Sequence, residues 1–135
     1  MNINNVQNIN FTALRGLGEP RTAQTYKALA NKYGTPFLRL TKQVFAEIDK
    51  TSDDKDVFIK FDTDFDENGE ERTNAQILDE NGNELTKVVL EKTDDNSTMW
   101  NVSLRFDCLL HNFKKRFFAN MPLEEEVRKT INKFA

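Results

Sequence analysis

The hydrophobic positions of this chain change their spacing from helical to alternating near residue 57. From Pro20 onward, Ala23, Tyr26, Leu29, Ala30 and Tyr33 fall three or four residues apart, the spacing of one helix face. Pro20 suits a first helical turn, where its missing N–H needs no partner. Gly34 supplies a left-handed stop. Thr35 and Pro36 repeat the start signal, and Phe37, Leu40, Val44 and Ile48 carry a second helical stripe to about Asp49. The short link makes the pair an αα-hairpin. A strand across 37–48 is the competing reading, because Phe, Val and Ile also favour strands.

After a polar linker at 51–56 the period becomes two. Val57, Ile59, Phe61 and Phe65 alternate with Lys60, Asp62 and Asp64, the pattern of a half-buried strand. Asn68-Gly69 and Asn81-Gly82 sit at hairpin turns that need positive φ. They bracket a second strand over about 72–79, and a third runs over 84–93. Asp94 to Ser97 turns the chain once more. Trp100, Val102, Leu104 and Phe106 alternate as a fourth strand. Beyond Phe106 the pattern fits both a helix face (Leu109, Leu110, Phe113, Phe117) and a longer strand through Cys108 and Leu110. A last helix opens at Pro122. Glu124, Glu125 and Glu126 lie at its positive end, basic residues at its negative end, and Leu123, Val127, Ile131 and Phe134 form its apolar row.

These elements predict an α+β fold. An N-terminal αα-hairpin precedes a four-stranded antiparallel β-meander, with one or two C-terminal helices packed on one sheet face. Residues 1–18, rich in Asn and Gly, read as a flexible arm that Val6, Ile9 and Phe11 could pin to the core as a short edge strand. Residues 19–135 form a single domain, an ordinary length for one core.

Composition adds a charge layout. The net charge is −3, with 11 phenylalanines supplying much of the core material. Residues 53–95 hold 15 acidic and 5 basic side chains, whereas the segments on either side are net basic. An acidic middle between basic ends suits a basic protein partner, although acidic turns also serve solubility. The lone Cys108 excludes an intramolecular disulfide, and no apolar run approaches the ~20 residues of a membrane span. The first ten residues lack a secretory signal's charged start and apolar core. A reducing cytoplasm is the expected home, with export by another route left open.

Four clusters could carry chemistry. Asp62, Asp64, Asp66 and Asn68 place oxygen ligands at every second position before Gly69, as in the first half of a calcium loop. The second half fails: Arg72 and Ala75 stand at the ninth and twelfth positions. Cys108 and His111 would share a helix face, the proximity a thiolate nucleophile needs, but no third orienting group is marked. Arg15 to Arg21 sets two glycines before a helix start, where a phosphate could bind, without a preceding strand or a Gly-Lys-Ser/Thr signature. Lys114, Lys115 and Arg116 beside Phe113, Phe117 and Phe118 form too small a basic footprint for a nucleic-acid surface. The sequons at Asn10, Asn96 and Asn101 are what an Asn-rich chain contains by chance.

No cofactor is expected beyond the calcium alternative. The leading expectation is a non-enzymatic interaction module that offers Asp62, Asp64, Glu67, Glu70, Glu71 and Glu80 to a basic partner. The alternatives are a calcium-binding domain and an enzyme built around Cys108 and His111.

Overall fold

The computed structural model describes residues 13–92 and 97–119. The order of elements is β1 (Leu14–Arg15), α1 (Pro20–Tyr33), α2 (Thr35–Ser52), β2 (Val57–Phe65), β3 (Glu71–Leu78), β4 (Glu84–Lys92) and α3 (Met99–Ala119). The fold is α+β, with the strands in the order β1-β2-β3-β4.

The αα-hairpin forms where the prolines and glycine place it. The Glu19 carboxylate caps α1 by accepting from the Arg21 and Thr22 N–H groups. Gly34, at φ 73°, ends α1 by donating its N–H to the Ala30 carbonyl. It also precedes Thr35 as the cap of α2, so Thr35 is the first helical residue and not the cap.

β2, β3 and β4 pair antiparallel through two turns of the same sequence, Asp-Glu-Asn-Gly. In each, the Asp side chain accepts from backbone N–H groups two and four residues on. Gly69 and Gly82 take φ near 80°, the conformation only glycine enters freely.

Two expectations are corrected. The sheet is mixed, because its remaining strand is β1, which runs parallel to β2 with Leu14 opposite Val57. Thus residues 13–15, placed in the arm by sequence, are held in the sheet, and Ala13 and Leu14 are buried. The Asp49 carboxylate anchors them by accepting from both their N–H groups, at 2.6 and 3.1 Å.

The second correction concerns 100–106, which is helix and not a fourth meander strand. Val102, Phe106, Leu109, Phe113 and Phe117 form an unbroken helical stripe, and all five are buried. Four turns of burial outweigh seven residues of alternation. Thr98 and Asn101 close the start with a reciprocal cap: the Asn101 side chain accepts from Thr98 N–H, and the Thr98 hydroxyl oxygen accepts from Asn101 N–H. The arm residues before 13, most of the turn at 94–97 and the helix expected at 122–135 lie outside the described residues.

All three helices meet one sheet face. The Phe61 ring of β2 contacts Tyr26 of α1, Phe45 of α2 and Phe106 of α3, with centroids 5.7 to 6.3 Å apart. Phe37, Phe45, Phe61, Phe106 and Phe113 are wholly buried. The opposite sheet face carries Lys60, Asp62 and Asp64 of β2 across from Gln76, Asn74 and Arg72 of β3.

Candidate functional site

The acidic residues marked by sequence fall at three separate places. Asp62 and Asp64 lie on the outer sheet face within a polar ladder. Arg72 grips Asp64 with two hydrogen bonds, Nε to Oδ1 at 2.6 Å and Nη2 to Oδ2 at 3.1 Å. Asn74 Nδ2 donates to Asp64 at 2.9 Å and to Asp62 at 3.3 Å. Arg72 and then Asn74 hold the Asp64 carboxyl down at about 2, from an ordinary 3.8. Asn74 itself is wholly buried, and its Oδ1 has no hydrogen-bond partner among the described residues.

The calcium-like row is dispersed. Asp66 turns its carboxylate inward to the Asn68 and Glu70 N–H groups, and Asp64 is taken up by Arg72. Among the described residues, no three His, Cys, Asp or Glu side chains gather as metal ligands.

Glu67 and Glu70 sit in the β2–β3 turn, and Glu71 opens β3 beside them. Glu71 also lines a groove of about 390 Å³ between α1 and the sheet. Arg21, Thr25, Lys32, Thr63 and Glu91 share that lining. The groove's charges answer one another: Lys32 Nζ lies 2.8 Å from Glu91, Tyr33 donates its hydroxyl to Glu91, and Arg21 donates to the Thr63 carbonyl at 3.2 Å.

Glu80 stands at the other end of β3, in the β3–β4 turn. A strand of eight residues places the two turns about 26 Å apart. The six carboxylates expected to share a partner surface therefore do not converge.

A different set does converge. The α2–β2 loop brings Asp53, Asp54 and Asp56 to the same end of the sheet as Asp79 and Glu80. Between the loop and the turn lies a cavity of about 150 Å³. Lys55, Asp56, Asp79, Glu80 and Asn81 rim it, and Val57, Leu85 and Phe117, all buried, form its floor. Asp79 is committed to the turn, accepting from Asn81 and Asn83 N–H. Asp56 lies 3.6 Å from Arg15, in a contact about half exposed on both sides. Asp53 is the single described non-glycine residue with positive φ, at 57° with ψ −114°. Holding it there costs on the order of 1–3 kcal/mol, a strain that surrounding structure must sustain.

Sequence reading treats 51–56 as a polar linker and so misses this grouping. The available signal is the run Asp53-Asp54-Lys55-Asp56 directly before the first strand of a meander. The second turn of that meander returns to the strand's starting end.

The remaining candidates are placed plainly. Cys108 and His111 share the exposed side of α3 and line neither cavity. The α1 N-terminus already holds an anion of the chain's own, Glu19, whose carboxyl is lowered chiefly by its hydrogen bonding with Thr22. Gly16 is required by packing: a Cβ there would lie 2.0 Å from the Ile59 carbonyl oxygen. Lys114 pairs with Glu47 at 2.6 Å, and Phe113 and Phe117 face the core. Asn101 is occupied in the cap of α3. No described helix is long and apolar enough to cross a membrane. No protein-family model, curated protein or solved structure matches the chain.

Proposed function

We propose that the chain is a non-enzymatic interaction module that receives a basic segment of a partner protein at the acidic end of its sheet. The observation that carries this reading is the cavity between the α2–β2 loop and the β3–β4 turn. Apolar Val57, Leu85 and Phe117 line it together with the carboxylates of Asp56 and Glu80. Lys and Arg combine an apolar stem with a charged head. The stem suits Leu85 and Phe117, and the head suits the carboxylate rim.

The reading keeps the acidic surface expected from sequence but moves it. Glu80 stays, Asp56 and its loop neighbours join, and the β2–β3 turn is left outside. The outer-face pair Asp62 and Asp64 is ion-paired locally with Lys60 and Arg72 and hydrogen-bonded by Asn74, so it offers less free charge to a partner.

Titration calorimetry with a lysine-rich peptide tests it. Binding is expected to weaken steeply between low and physiological salt. Replacing Asp56 by Asn together with Glu80 by Gln should lower affinity about tenfold, as the loss of two rim charge pairs implies. Glu67→Gln with Glu70→Gln at the far turn should leave affinity within about twofold. Salt-insensitive binding, or an equal loss from the far-turn pair, defeats the proposal.

A further inference from the structure

The groove between α1 and the sheet lies where alternation calls for core. Thr63 follows Phe61 on the face of β2 that meets the helices. Its register partner is Thr73 of β3, and the partner of Thr73 on β4 is Glu91. Arg21, Gln24, Thr25, Ala28 and Lys32 recur at steps of three or four along α1 and line the other wall. Elsewhere the space between these layers is filled by Tyr26, Phe45 and Phe61. Here both walls are polar and about 390 Å³ stays open. Polar side chains at core-facing positions work against a fold unless they serve a site.

Two bridges from helix to sheet hold the groove's ends, Arg21 to the Thr63 carbonyl and Lys32 to Glu91. Between them, hydrogen-bonding capacity is left over. Of the five N–H groups on a guanidinium, Arg21 spends one, on the Thr63 carbonyl at 3.2 Å. Glu91 accepts from both Lys32 and Tyr33 through Oε2, which leaves Oε1 without a hydrogen bond among the described residues. The Thr73 hydroxyl has none among them either, although Thr73 is only 9% exposed and lines the groove. A nearly buried hydroxyl of this kind calls for a partner from outside the chain.

We infer that the groove binds a small ω-amino acid, with the ligand carboxylate on Arg21, its ammonium on Glu91 and Thr73 between them. The lining sets two basic side chains, Arg21 and Lys32, against two acidic ones, Glu71 and Glu91. A lone anion meets the two carboxylates, and a lone cation meets the two basic groups. A net-neutral ligand with separated charges meets neither penalty. The planar guanidinium matches a carboxylate through paired N–H groups. Thr63, Thr73 and Glu91 stand on three successive strands, about 10 Å from first to last. The ligand's charges therefore lie several bonds apart, farther than an α-amino acid sets them. The groove sits at the β2–β3 turn end of the sheet and the cavity beside Asp56 and Glu80 at the other, so each site is tested without the other.

Amide NMR of the full-length chain titrated with 4-aminobutanoate should show saturable shifts centred on Gln24, Thr63, Thr73 and Glu91. Butanoate, butylammonium and glycine should each bind at least about tenfold more weakly, having lost one charge-assisted pair or the span to make both. Arg21→Gln should weaken 4-aminobutanoate about tenfold, by removing the charged partner of its carboxylate. Thr73→Val, which keeps the β-branched shape and removes the hydroxyl, should weaken it several-fold. Asp56→Asn with Glu80→Gln, at the far end of the sheet, should leave affinity within about twofold. Arg21 is exposed on its helix, so Arg21→Gln reads the site even if Thr73→Val disturbs the strand. Butanoate or glycine binding as tightly as 4-aminobutanoate would show an anion on an exposed arginine and overturn the inference. So would the absence of shifts with all four probes at tens of millimolar, or an affinity unchanged by Arg21→Gln.

Discussion

Asp64 has a neighbourhood that only pairing creates. Asp62 and Asp64 alternate with apolar residues, which is enough to put them on one face. Their partners come from eight to twelve residues away across the hairpin, Arg72 to Asp64 and Asn74 to both. The register therefore brings Asp64 into an ion pair with Arg72. The consequence can be measured by titration. The folded carboxyl sits at about 2 against an ordinary 3.8, so its ionised form is favoured by folding. That contribution is complete above 3.8 and fades as pH falls through that value toward 2. Side-chain carboxyl NMR should find Asp64 still ionised at pH 3, and Arg72→Ala should return its titration to the ordinary range. A titration near 3.8 in the natural chain would show that the ladder is not formed in solution.

Whole elements are readable where period and punctuation agree. α1 and the three long strands follow from apolar spacing, a proline start and Asn-Gly turns, and at α2 the start signal at Gly34 to Pro36 decides against the competing strand across 37–48. α3 is not so readable, because Trp100, Val102, Leu104 and Phe106 satisfy alternation while Val102 and Phe106 also begin a helical row. The deciding local signal was the reciprocal pair Thr98 and Asn101, in which Asn stands where the usual box has Glu or Gln. Thr98→Ala should remove about 1 kcal/mol of stability by urea unfolding, as an N-cap loss does. Thr98→Ser should restore most of it. A Thr98→Ala chain as stable as the natural one would mean the cap contributes nothing. β1 lay beyond any periodic reading: two residues carry no pattern. Its position rests on the Asp49 carboxylate and on the close approach of Gly16 to Ile59, both long-range contacts.

At the scale of the molecule the acid of the middle segment has two distinct jobs. Asp66 and Asp79 are internal to turns, and one oxygen of each accepts from two backbone N–H groups. Asp53, Asp54 and Asp56 lie in the α2–β2 loop at the end of the sheet where Glu80 turns, and Asp53 holds a strained backbone there. Sequence shows the excess of acid but cannot sort it, because both kinds occur in the same runs. Stability and binding can sort it. Asp79→Ala leaves two turn N–H groups without their acceptor and should cost about 1 kcal/mol at any salt concentration. Glu80→Gln with Asp54→Asn relieves repulsion, so it should stabilise the fold at low salt by about 0.5 kcal/mol or less, and not at all near 1 M salt. The same pair should weaken binding of a lysine-rich peptide. Opposite signs for stability and affinity are what a site maintained against folding preference produces. If neutralising Glu80 and Asp54 instead lowers stability, their charge belongs to the fold, and the acidic end loses its claim to a partner.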